Sequence, residues 1–98
     1  MARLAGKVWK EKGALEYRET IGDDLQPKGV AHFGRSVQLK TGETVVFSWI
    51  VYRSKGHRNK VNARVLKDPR IIKMMAPGVM PFDGKRMRYG GFKVAVDL

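Results

Sequence analysis

His57 and Asn62, together with the run Asp83-Gly84-Lys85-Arg86, are the positions whose residue types could move a proton or hold an anion. A histidine titrating near neutrality can exchange a proton, and an asparagine next to an apolar helix stripe needs a hydrogen-bond partner. His57 precedes Val61 and Val65 at helical spacing, and Asn62 lies on the adjoining flank. The competing reading makes both of them polar groups of a helix, satisfied by backbone and water. Asp83 and Gly84 read as a turn in which the carboxylate accepts backbone N–H bonds and glycine supplies positive φ. Lys85 and Arg86, which follow it, would face an anionic ligand at the mouth of a pocket. Trp49, inside an apolar strand, completes a candidate pocket of Trp49, His57, Asn62, Asp83, Lys85 and Arg86, although a strand tryptophan serves equally as core or interface.

Several chemistries are excluded at once. Without cysteine there is no disulfide, no thiolate nucleophile and no thiolate metal ligand, and two histidines alone do not make a zinc site. The composition suits a reducing cytoplasm. No P-loop, H-E-x-x-H, G-x-S-x-G or G-x-G-x-x-G occurs, so no cofactor or metal is implied and catalysis has no recognisable constellation. Asp23, Asp24 and Asp97 fall in loop and cap positions and suit solvation rather than acid–base work.

The formal net charge of +11 is large for 98 residues. Arg53, Lys55, Arg58, Lys60, Arg64 and Lys67, extended by Arg70 and Lys73, face the single acid Asp68. Such a surface attracts phosphate polymers whatever its role. The first six residues form a candidate nucleic-acid surface, with a solvated helix face as the plain alternative.

These residues need elements to position them. Ala2–Lys12 reads as an amphipathic helix, with Leu4 and Val8 at i, i+4, Ala5 and Trp9 beside them and Gly13 as a stop. Nothing ahead of Ala2 caps it, which creates the expectation of an upstream start. Its charges leave no apolar run, and no other segment is long enough to span a bilayer. Leu15, Tyr17 and Ile21 alternate with polar residues as in a half-exposed strand. Residues 22–42 read as a long loop. Ser54 is an N-cap for a helix through Leu66, and Asp68-Pro69 restarts a short helix. Met87–Leu98 alternates as a last strand.

Val45–Tyr52 is apolar on both faces, with Val45, Phe47, Trp49 and Val51 on one and Val46, Ile50 and Tyr52 on the other. Helices cover one face of such a strand. A second copy of the chain is the expected cover for the other.

The stretches "GKVWKEKGALEYRE", "ETVVFSWIVYRSKGHRNKVNARVLKDPR" and "MPFDGKRMRYGGFKVAVDL" resemble the bacterial family called domain of unknown function 1428, of the dimeric α/β-barrel superfamily. The resemblance spans nearly the whole chain. It implies a ferredoxin-like β-α-β-β-α-β unit whose sheet meets a partner's sheet in a barrel. The family's members begin with a strand ahead of the first helix, which this sequence lacks. The same element order builds the RNA-recognition motif, and "KRMRYGGFKV" is superficially similar to its signature. There, however, the signature precedes a helix and its aromatics share a face, whereas Tyr89 and Phe92 point oppositely in a regular strand.

The resulting expectation is a single α+β domain over residues 1–98. It has a ferredoxin-like antiparallel sheet with helices on one face, and is a cytoplasmic homodimer binding a small or anionic ligand between two sheets. The alternative is non-sequence-specific RNA binding through Arg53–Lys73.

Overall fold

The computed structural model describes residues 2–26, 28–30, 33–76, 78 and 87–98. Helix α1 (Ala2–Glu11) buries Val8 completely and half-buries Ala5 and Trp9, whereas Leu4, which the i, i+4 spacing pairs with Val8, stays 40% exposed at the start of the helix. It ends in a Schellman motif: Ala14 N–H donates to the Trp9 carbonyl at 3.0 Å and Gly13 N–H to that of Lys10 at 3.2 Å. Gly13 has φ +119, a left-handed conformation that a side chain would strain.

Strands β1 (Glu16–Ile21) and β2 (Val46–Val51) pair antiparallel, with Arg18 opposite Trp49 and Tyr17 opposite Ile50. Between them the long connection contains one helical turn, α2 (Phe33–Ser36), where the sequence predicts only loop. Helix α3 (Lys55–Leu66) starts at the N-cap Ser54, whose hydroxyl accepts from His57 N–H at 3.1 Å, and buries Val61 and Val65. Helix α4 (Pro69–Met74) starts at the N-cap Asp68, with proline in its first turn, where its missing N–H costs nothing.

The architecture is α+β: a two-stranded antiparallel sheet with α1, α3 and α4 gathered around a shared core on one face. The core comprises Val8, Ala14, Val61, Val65 and Ile71, ringed by Ala5, Trp9, Ile50, Tyr52 and Met74. Burying each of these valines contributes roughly 1.5–3 kcal/mol. Ile50 and Tyr52 therefore mark the covered face of β2, and alternation sends Phe47, Trp49 and Val51 to the other.

One predicted element is absent. Met87–Leu98 forms no strand, and Tyr89, Phe92, Val94 and Val96 lie 95%, 96%, 66% and 74% exposed. Alternation equips a segment for a sheet but does not supply the neighbour whose backbone must pair with it, and among the described residues this segment has none.

Candidate functional site

Asn62 is the meeting point of three elements. Its side-chain carbonyl accepts the Tyr52 hydroxyl at 2.7 Å and the Trp9 indole N–H at 3.3 Å. Trp9 comes from α1 and Tyr52 follows β2, so this half-buried polar knot ties the first helix to the sheet and to α3. Both donors are amphipathic rings that need a partner when they pack against a core, and one amide oxygen with two lone pairs satisfies both. Burial raises the Tyr52 phenol above its ordinary value.

His57 stands in the next turn, edge-on to Tyr52 with ring centroids 6.0 Å apart. Its Nδ1 accepts from Arg53 N–H at 2.9 Å while its own N–H donates to Ser54 Oγ. The pattern is a capping box in which imidazole replaces the usual glutamate and reaches one residue further back. An Nδ1 that accepts leaves the proton of the neutral ring on Nε2, which lies beside Gly13, where an added Cβ would come within 3.5 Å of it. His57 thus orders the start of α3.

Trp49 belongs elsewhere. It sits on the uncovered face of β2, opposite Arg18, with Phe47 stacked obliquely at 6.0 Å. The structure joins His57 and Asn62 through Tyr52 and places Trp49 across the sheet from them. Asp83, Lys85 and Arg86 lie outside the described residues. Among the described residues no group of three His, Cys, Asp or Glu could hold a metal ion.

The basic surface also divides. Arg53, Lys55, Lys60, Arg64 and Lys67 are exposed. Arg58 is half-buried and donates twice to Asn59 Oδ1, at 3.3 and 3.2 Å, with its guanidinium close against Gly91, where an added Cβ would lie 2.6 Å away. Arg70 is consumed by a different task. It donates through Nε and Nη2 to the two oxygens of Asp68 at 3.0 and 2.8 Å, and through Nη2 to Glu11 at 2.6 Å. Lys12 approaches the same Asp68 at 3.4 Å. The Arg70 side chain first, then its backbone N–H and Lys12, hold the Asp68 carboxyl well below the usual range. Glu11 is lowered by the same guanidinium, though it is exposed. This network staples α4 to the end of α1.

Sequence reasoning did not single out Trp9, Tyr52 or Arg70 as polar partners. A tryptophan on an apolar helix stripe and a strand-end tyrosine both announce an unmet hydrogen bond, but only the fold shows that Asn62 meets them. A shallow concavity of about 370 Å³ between α1 and β1, bounded by Arg3, Gly6, Lys7, Lys10, Tyr17 and Glu19, is open to solvent. Burial, and secondarily the Glu19 charge, pushes the Tyr17 phenol there up to about 12.

A family model described as "Protein of unknown function (DUF1428)" matches residues 1–84, spanning both strands, α3 and α4. The "Uncharacterized protein YbaA" of Escherichia coli strain K12 and that of Shigella flexneri are each 42% identical to this chain over 97 residues, covering 99% of it and 81% of the relative.

Proposed function

Because the chain belongs to the DUF1428 family of proteins of unknown function, its role must be read from its own surfaces, and we propose a homodimer whose uncovered sheet faces pack together, as in an α/β barrel, and enclose a small or anionic ligand. The observation that carries this reading is the outer face of β2. Phe47 is 57% and Trp49 42% exposed, with adjacent rings on a face that the helices leave open. Covering each ring would contribute roughly 2 kcal/mol at ~25 cal/mol per Å². Arg18, opposite Trp49, gives the same face a cation, held at 3.3 Å from Glu16 until an anion competes for it.

Enclosure supports the second copy. The concavity between α1 and β1 is open, whereas two sheets face to face exclude water from whatever lies between them, and specific small-molecule sites are concave and largely apolar. The protein on this reading is a binding module of the cytoplasm, a setting that suits a chain without cysteine.

Light scattering at micromolar concentration tests the assembly. The expected mass is twice the 11.1 kDa of the chain, and Trp49→Lys should give a folded monomer by circular dichroism. A wild-type chain that stays monomeric while folded overturns the proposal. In a Trp9→Phe background, the fluorescence of Trp49 alone reports closure of the interface and ligand entry.

A further inference from the structure

We propose that the solvent ridge of α3, formed by Lys60, Arg64 and Lys67, binds the phosphate backbone of nucleic acid without reading its sequence. Three observations converge on it. First, Arg53 through Lys67 contains six cations and no acid. Second, the acid that follows, Asp68, is 7% exposed and already ligated by Arg70 and Lys12, so it offers the ridge no compensation. Third, among the described residues the ion pairs involve Lys12, Arg18 and Arg70, and none involves a cation of α3 or its caps.

The fold narrows six cations to a line. Val61 and Val65 point into the core, so Lys60, Arg64 and Lys67, at i, i+4 and i+7, share one exposed flank over about 10 Å of helix. Arg58 lies off that flank, folded onto Asn59. Like charges at i, i+4 repel, and the C-terminal dipole of a helix offsets only about half a charge. The ridge therefore carries a standing repulsion that a row of phosphates relieves. A lone phosphate would meet one or two of these side chains, whereas a polymer meets all three. The helix lies on the face of the sheet opposite Trp49, so this surface and the proposed dimer contact are separate.

Fluorescence anisotropy of a labelled 20-nucleotide single-stranded RNA and its DNA counterpart, titrated between about 50 and about 200 mM KCl, tests the assignment. The two polymers should bind alike. The slope of log K against log salt should shrink by about 2 in the triple variant Lys60→Gln/Arg64→Gln/Lys67→Gln, from about 0.7 per contact on single strands. Lys28→Gln/Lys40→Gln/Lys93→Gln, which removes the same charge from other exposed positions, should retain the wild-type slope. Circular dichroism confirms that both variants fold. An unchanged slope in the α3 variant, or an equal fall in both, overturns the proposal. So does ridge-dependent binding to phosphatidylserine vesicles by a protein that leaves RNA free at about 150 mM salt, a result that would make the surface a membrane contact.

Discussion

The hydroxyl of Tyr52 and the side-chain carbonyl of Asn62 meet at 2.7 Å, and the Trp9 indole joins the same oxygen from a helix 53 residues away in sequence. Three elements that local propensity cannot orient relative to one another are registered by a single amide.

Removing one donor should cost less than removing the acceptor. Tyr52→Phe loses one hydrogen bond, about 1 kcal/mol, while Asn62→Leu strands two half-buried donors at roughly 1–3 kcal/mol each before any water reaches them. Urea denaturation of both variants and of the double mutant checks the order, and equal losses for the single variants would contradict it.

Gly6 lies inside α1, where alanine would gain about 1 kcal/mol in helix propensity. A Cβ there would nevertheless stand 2.8 Å from Tyr17 Cδ1 and 3.0 Å from Cε1. Overpacking of this kind typically costs about 1–3 kcal/mol. Gly6→Ala is therefore expected to destabilise wild type by about 1 kcal/mol, and to stabilise the Tyr17→Ala background, where the ring is gone. The same sign in both backgrounds would rule out the clash.

Asp68 dictates the acid limb. Its folded value lies below that of an unfolded aspartate, about 3.9, chiefly because of Arg70. The stabilisation is complete above the unfolded value and is lost as pH falls toward the folded one. Melting temperatures measured from neutral pH down to about pH 2 should show wild type falling steeply below about pH 4. Asp68→Asn should start lower and fall less. Parallel curves would show that another carboxylate controls the transition.

Tyr17 sets an alkaline limb. Burial places its folded value at about 12, against about 10 in an unfolded chain. Its contribution is complete below the unfolded value and disappears as pH rises through the folded one. Absorbance near 295 nm should show an ionisation near pH 12 that Tyr17→Phe lacks. If the ionisation that Tyr17→Phe removes lies at about 10 instead, Tyr17 is more solvated than its packing implies.

The sequence by itself determined whatever depends on neighbours a few residues apart. Ser54 and Asp68 cap helices because their side chains reach N–H groups two or three positions on, and Gly13 ends α1 because only glycine enters that conformation without strain. The two-faced β2 was legible because pleating alternates side chains whatever the fold. It could not say which face the helices choose. That choice put Trp49 across the sheet from His57 and Asn62, dividing the candidate pocket read from the sequence. The ion pairs of Arg70 and the separation of the Lys60, Arg64 and Lys67 ridge from Arg58 are likewise consequences of packing. Met87–Leu98 marks the same boundary, since its alternation is a local property, whereas a strand is a relation between two stretches of backbone. Whether a partner lies beside it is decided only in three dimensions, because the hydrogen bonds that define a sheet join residues that sequence spacing does not relate.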